Sequence, residues 1–340
     1  MGKKSYEMQS GMAGPVWYHC EAAVQGRSHV RDGIPCQDKV QYRNRKGVSA
    51  IALADGAGSC SQSEIGASVL VQRICDELTE HFDFCWEEDL KAVQDLLIGR
   101  IRKTLSVAAA ELLCAVEDLS STLLAAAVSG DRFFALHIGD GVIGCMRDGE
   151  AEVLSGPMNG EFKNQTYFTT YLYLEKVMRI YRGHLDGRTG FLLMSDGPSG
   201  CLFSEQEGSL SRAVSGIIQF TSTYREDLAQ KELERSIRQM ILPRTRDDCS
   251  LICLASSENW KGLSSMNRSD QKDIFGRCGR DIKTGSRIAE QLSTDQYRSS
   301  EWIARKVYVR EKRARSLLER MKGRNLVEEE DGNYRLLVHR

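Results

Sequence analysis

The chain has 340 residues, of which 41% are hydrophobic and 27% charged, with a formal net charge of −1. That balance suits a soluble globular protein of one large domain plus a small one, or two of medium size. It excludes a chain-wide field for nucleic acid or an anionic membrane. The opening residues MGKKSYEMQSGMAG lack an apolar signal core and no run reaches membrane-spanning length, so a cytoplasmic location with no membrane partner is expected. Eleven cysteines are scattered without a Cys-x-x-Cys pair, and six histidines form no His-x-x-x-His pair. Reduced core thiols are expected, and a zinc-hydrolase site has little support.

In chain order, Val16–Val24 reads as a strand and 26–39 as a polar loop ending on Asp38. Gln41–Ala54 reads as a hairpin turning near Arg43–Gly47. Glu64–His81 and Asp89–Glu117 carry helical spacing, the second with apolar residues at Leu90, Val93, Leu97, Ile101, Leu105 and Leu112. Four short apolar runs follow, Ser121–Val128, Arg132–Ile138, Gly141–Met146 and Ala151–Ser155, separated by tight turns. Strands joined so closely form an antiparallel meander, because parallel neighbours need long crossovers. A polar and aromatic excursion over 156–175 precedes strands at Val177–Tyr181 and Gly190–Met194. Helices are expected at Ser204–Phe220 and Glu226–Met240, and a last strand at Cys249–Leu254. The layering predicts an α+β fold, two antiparallel sheets with helices outside.

Residues 256–283 read as a polar linker. Beyond it, Ser286–Leu292, Ser299–Val307 and Glu311–Gly323 read as helices, and Leu326–Glu330 with Tyr334–Val338 as a hairpin on Asp331-Gly332. Three helices and a two-stranded wing describe a small winged-helix domain over 284–340. The basic residues around its third helix suit nucleic acid or a protein partner about equally, although Glu301, Glu311 and Glu319 interrupt them.

Five acids stand where apolar strands begin or end: Asp38, Asp55, Asp140, Asp196 and the pair Asp247-Asp248 counted as one site. One such acid is a turn. Several gathered on one edge would repel one another unless cations were present, and all-oxygen sites suit Mg²⁺ or Mn²⁺. GDGVIG at 139–144 satisfies G-x-G-x-x-G but is followed by a strand and not a helix, so it is set aside as a dinucleotide site. His137, in an apolar strand, is expected to be a hydrogen-bonded core imidazole.

The ordered set GRSHVRDGIPCQD, LADGAGS, STLLAAAV, ALHIGDGVIG, LLMSDG and DDCSLICL resembles the type 2C class of metal-dependent serine/threonine protein phosphatases, in particular its compact bacterial branch, over roughly residues 15–255. The resemblance implies a β-sandwich flanked by helix pairs, with a phosphatase domain in 1–255, and a two-metal site at one end of the sandwich. It implies that Asp55 bridges two Mn²⁺ or Mg²⁺ ions, that the Gly56 carbonyl ligates one of them, and that Asp196 and Asp247 complete the set. Asp38 would act through water, and Asp140 would sit near an optional, weaker third ion. Asp248, beside Asp247, is carried as a further metal candidate. The sequence departs from the family pattern at Ala57, where many members have a proton-donating His, at Gln37, and at Gly33, where an arginine for substrate phosphate is expected. Arg27, His29 and Arg31 are candidates to replace that arginine. Asn159, Asn164, Thr166 and Tyr167 of the 156–175 flap are candidates for peptide contact. The implied function is hydrolysis of phosphoserine and phosphothreonine in proteins, opposite a Ser/Thr kinase system, with the C-terminal domain choosing where the enzyme acts. The rival is a non-catalytic phosphoprotein-binding or DNA-binding regulator on the same scaffold.

Overall fold

A computed structural model describes residues 15–158, 166–259, 268–275 and 278–338. Strand β1 (Trp17–Val24) leads through helix α1 (Arg27–Asp32) to the hairpin β2 (Lys39–Arg45) and β3 (Val48–Ala54). Helices α2 (Ser63–Glu80), α3 (Phe82–Glu87) and α4 (Leu90–Leu112) come next, then β4 (Leu123–Ser129), β5 (Arg132–Ile138), β6 (Val142–Arg147) and β7 (Glu150–Ser155); the meander expected here breaks between β5 and β6, which lie in different sheets. A short α5 (Leu174–Val177) precedes β8 (Arg179–His184) and β9 (Arg188–Met194). Helix α6 (Asp196–Leu202) opens directly from the end of β9. The small pair β10 (Phe203–Ser204) and β11 (Ser209–Leu210), helices α7 (Arg212–Thr223) and α8 (Glu226–Ser236), and β12 (Cys249–Ser256) complete the larger unit.

Two five-stranded sheets result, ordered β1-β12-β9-β6-β7 and β2-β3-β4-β5-β8, with every pairing antiparallel. The alternation of side chains along a strand explains why they stack. In β3, Ile51 and Leu53 point between the sheets, where they meet Leu124, Ala126, Phe191, Leu193, Ile252 and Leu254. Ala50, Ala52 and Ala54 point the other way, under α2 and α4. β12 divides likewise, sending Leu251, Cys253 and Ala255 under α7 and α8. Small residues on the outer faces let the helices lie close; at Gly66 of α2 a side chain would collide with the Leu119 carbonyl.

Several local expectations change. The loop at 26–39 contains α1, closed by Gly33 at φ 69, a left-handed position glycine adopts without strain. Helix α4 stops at Leu112 rather than continuing to residue 117, with Leu113 left-handed at φ 53. The helix expected from Ser204 begins only at Arg212, because a small strand pair occupies the interval. Part of the segment read as linker is helical: α9 (Arg268–Phe275) buries Ile274 and Phe275 in the C-terminal core, and α10 (Gly279–Gln291) starts before residue 284.

That second core is formed by α9, α10, α11 (Ser300–Val307) and α12 (Glu311–Lys322) with a three-stranded sheet, β13-β15-β14. Its strands are β13 (Arg298–Ser299), β14 (Val327–Glu330) and β15 (Asn333–Leu336), with Asp331-Gly332 turning at positive φ. It meets the larger unit where α7 passes into α8: the Arg225 N–H donates to the Leu337 carbonyl (2.8 Å) and Arg225 Nη1 pairs with Glu328 Oε1 (3.1 Å).

Candidate metal centre

Strand register decides which acids share an edge. Lys39 pairs with Ala54, Leu53 with Leu124, Leu123 with Ile138, Val142 with Met194, Met194 with Leu251, and Val24 with Cys249. The residues just beyond these partners therefore gather at one end of the sandwich. They include Asp38 before β2, Asp55 after β3, Asp140 after β5, Asp196 after β9 and Asp247 before β12.

Asp55 is fixed by its backbone. Its N–H donates to Thr122 Oγ1 (2.9 Å), and its carbonyl accepts the Thr122 N–H (2.8 Å). Its carboxyl is held well above the usual carboxylate range, first by burial and then by the charges of Asp38, Asp196, Asp247 and Asp140. Burial likewise pushes Asp196 up to about 6, with Asp247 and Asp140 adding to the rise. A hydrogen bond with the Asp55 carboxyl and the Gly197 N–H oppose it. Asp38 is buried, and its Oδ2 accepts the Ser195 hydroxyl at 2.8 Å. Its Oδ1 has no hydrogen-bond partner. Burial lifts Asp38 to about 7; the Ser250 and Ser195 hydroxyls oppose the rise and the Asp248 and Asp196 charges add to it. The Ser250 hydroxyl is thus near Asp38 without being aligned to bond it.

No Lys, Arg or His among the described residues forms an ion pair with Asp38, Asp55, Asp140, Asp196 or Asp247. Carboxyls so crowded must either take up protons or meet cations. The donor chemistry, all oxygen with one buried orphan, fits a hard divalent ion. Among the described residues no three His, Cys, Asp or Glu side chains are drawn close enough to enclose an ion as they stand. Cation binding would therefore have to pull these carboxyls inward.

Asp248 has a different place. It is buried, accepting the N–H groups of Gly26 (Oδ1, 2.6 Å) and Gln37 (Oδ2, 2.6 Å). His29 Nδ1 lies 3.0 Å from Oδ1, within ion-pair range but not aligned as a hydrogen bond. Both oxygens are occupied, so Asp248 is a strap between α1 and β12, and the expectation that it faces a metal is corrected. The three candidates for substrate phosphate also have other partners. Arg27 donates to the Thr245 carbonyl from Nε (3.0 Å) and Nη2 (2.7 Å), exposed Arg31 pairs with Asp32 (2.7 Å), and His29 faces Asp248. Thr166 reaches the site, its hydroxyl donating to Asp140 Oδ2 at 2.5 Å, whereas Tyr167 packs edge-on to Tyr171. Asn159 and Asn164 lie outside the described residues. Ala57 is buried, with its N–H on the Ser120 carbonyl (2.9 Å).

His137 is a core imidazole as expected, with Nδ1 2.7 Å from the Ser155 hydroxyl and Arg179 Nη2 3.1 Å away. Spacing alone missed Ser195, Thr122 and two glycines. A side chain on Gly197 would collide with the Asp248 carbonyl, and one on Gly26 with the Asp247 backbone. The signal available for these glycines was only their closeness to the acids.

The chain is similar to proteins already known. The family model described as Protein phosphatase 2C matches residues 25–238, more than half of the chain. Serine/threonine-protein phosphatase 3 of Escherichia coli K12 is 30% identical over 161 residues, which are 45% of this chain and 63% of that protein. The chain thus spans under two thirds of the length of that curated relative. Among solved structures, PppA of Pseudomonas aeruginosa, described as a key regulatory component of T6SS, superposes with a TM-score of 0.50 at 17% identity. The match covers 72% of this chain and 99% of PppA. The S. agalactiae serine/threonine phosphatase superposes with a TM-score of 0.49 at 18% identity, the match covering 71% of this chain and 99% of that one. With its sandwich, its acid-lined edge and the family match in agreement, the chain belongs to the protein phosphatase 2C family.

Proposed function

We propose that this chain is a protein-serine/threonine phosphatase that uses two Mn²⁺ or Mg²⁺ ions, with an optional weaker third, and that its C-terminal winged-helix unit directs it to phosphorylated proteins made by a Ser/Thr kinase system. The observation that carries the reading is Asp55: its carboxyl touches Asp196 and lies in the field of Asp38, Asp140 and Asp247, with no protein cation paired to any of them among the described residues. Asp55 would be shared between the ions, with the Gly56 carbonyl, Asp196 and Asp247 as further ligands. Asp38 would act through water, and Asp140 would serve the third site. When bound, such ions supply a nucleophilic water at neutral pH and a clamp on the phosphoryl oxygens during in-line displacement.

The chain's own residues prepare that site. Thr122 fixes the Asp55 backbone, Ser195 orients Asp38, and the Thr166 hydroxyl holds Asp140. The Asp248 strap sets the segment before Asp38 against β12. Ala57 cannot give a proton to the leaving group, so another group or water must. The curated relative's name, a serine/threonine-protein phosphatase, supports the substrate class.

The test is Mn²⁺-dependent release of phosphate from a phosphoserine peptide. Asp55→Asn should lower it at least roughly 100-fold, since losing even outer partners of a metal costs 10–100-fold. Undiminished turnover in Asp55→Asn would sink the assignment. Phosphopeptide binding without turnover in the unmodified protein would favour the non-catalytic rival.

A further inference from the structure

The C-terminal unit holds a basic cavity that the metal centre does not use. Its volume is about 320 Å³, and Asp281 of α10, Arg310 just ahead of α12, and Lys312, Arg313 and Arg320 of α12 line it. Four cations face one carboxylate. Arg313 Nη2 lies 2.7 Å from Asp281 Oδ1 and Arg320 Nη1 lies 3.7 Å from Oδ2, so that acid is already shared. Arg310 and Lys312 are exposed and have no carboxylate partner among the described residues. Two positions before Arg310, Tyr308 caps α11 at φ 56 and is 87% exposed. Glycine or asparagine adopts that left-handed conformation with little strain, whereas a bulky side chain does not. An exposed aromatic ring here gains nothing from the chain's own core. Two residues from an unpaired cation, the ring is free to cover the apolar and backbone surface of an incoming segment.

The charge pattern separates a peptide from a duplex. Opposite the cavity, Lys322 at the end of α12 is neutralised by Glu329 (2.6 Å). In the hairpin beyond it Glu328 pairs with Arg225 and Arg335 and Glu329 with Lys322, which leaves Glu330 and Asp331 as acids without a cation partner among the described residues. Helix α12 is 12 residues long, about 18 Å at the α-helical rise. Free positive charge is therefore confined to one end of that length, and negative charge lies at the other. A duplex, with one phosphate charge about every 1.7 Å of axis, would be repelled by the hairpin when laid along α12. A few extended residues, at about 3.3 Å each, fit within the basic end.

We propose that this cavity binds an acidic peptide segment of a protein partner, with Arg310 and Lys312 meeting its carboxylates and Tyr308 covering its backbone. This deepens the reading of the C-terminal unit as a targeting device and rests on that reading for its purpose, while the binding itself does not depend on phosphatase activity.

The experiment titrates the full chain, in EDTA, against fluorescein-labelled octaglutamate and against a short duplex DNA with the same label, at equal salt, by anisotropy. Octaglutamate should bind more tightly than the duplex. Arg310→Glu with Lys312→Glu should weaken octaglutamate at least roughly tenfold, and Tyr308→Gly should weaken it without lowering the melting temperature. Tighter binding of the duplex, absence of octaglutamate binding, or unchanged peptide affinity after charge reversal would overturn the proposal. Mn²⁺-dependent hydrolysis of p-nitrophenyl phosphate, run on the same protein preparations after EDTA is removed, should be unaltered by these substitutions. If it were missing from every sample including the unmodified chain, the phosphatase reading would fail and the peptide result would stand.

Discussion

Asp248 accepts the N–H groups of Gly26 and Gln37 and lies beside His29, so one buried carboxylate ties the segment before Asp38 to the strand after Asp247. Its neighbour Asp247 is exposed on the acid-lined edge. The two residues should therefore respond oppositely to removal. Asp248→Ala leaves two buried N–H groups without an acceptor and removes the carboxylate beside His29, and should cost roughly 3 kcal/mol of stability in urea unfolding. Asp247→Ala should leave metal-free stability nearly unchanged while removing Mn²⁺-dependent turnover. Equal urea midpoints for the two variants would refute the division of labour. His137 carries the same lesson inward: burial first, and then the Arg179 charge, lowers it to about 3, so it is a neutral hydrogen-bonding group of the core.

Between elements, glycine marks where backbone must approach backbone. Helix α6 starts at the end of β9 only because Gly197 has no side chain to strike the Asp248 carbonyl, and α2 reaches the turn at Leu119 only through Gly66. Gly99, exposed on α4, meets nothing within 4 Å. Gly197→Ala should then destabilise by roughly 1–3 kcal/mol through forced backbone movement and weaken Mn²⁺ binding with it. Gly99→Ala should stabilise by about 0.5–1 kcal/mol, the usual gain for glycine replaced inside a helix. Thermal unfolding of both variants checks the pair, and a stabilised Gly197→Ala would contradict the close approach.

For the molecule as a whole, the acid edge and His137 set opposing pH dependences. In the metal-free protein Asp38 is raised from 3.8 to about 7 and Asp196 from 3.8 to about 6. Protons are then held more tightly in the folded state, so their stabilising contribution is complete below about pH 4 and is lost as pH rises through 6 and 7. His137 falls from 6.5 to about 3. Its contribution is complete above about pH 6.5 and is lost as pH drops toward 3. Two raised carboxyls outweigh one lowered imidazole, so these groups make metal-free stability highest near pH 4 and lower as pH rises toward 6. Mn²⁺ at a fixed concentration about 100 times its dissociation constant at pH 7.5 should add roughly 2.7 kcal/mol there, and less at pH 5.5, where protons compete for the carboxyls. Calorimetry with and without EDTA at the two pH values measures this, and an equal shift at both would exclude these carboxyls as ligands. No helix among the described residues is long and apolar enough to cross a membrane.

The sequence by itself determined the antiparallel hairpins β2–β3, β4–β5 and β6–β7, because strands joined by tight turns pair antiparallel, whereas the division into two sheets between β5 and β6 was decided by tertiary structure. The sequence also determined which acids stand at strand ends, since each follows or precedes a long apolar run. Those signals are local and survive without knowledge of neighbours. Only the tertiary structure decided that Asp247 faces the open edge while Asp248 turns inward, because adjacent residues at a strand end differ in the face they take, and no pattern in DDCS says which. The same holds for α6 and for the buried Phe275 of α9, whose short or polar segments acquire their conformation from the cores they cover. It also decided that Arg27 serves a backbone carbonyl and His29 the Asp248 strap, since each meets chain brought from more than 200 residues away, whereas Arg31 pairs with the adjacent Asp32.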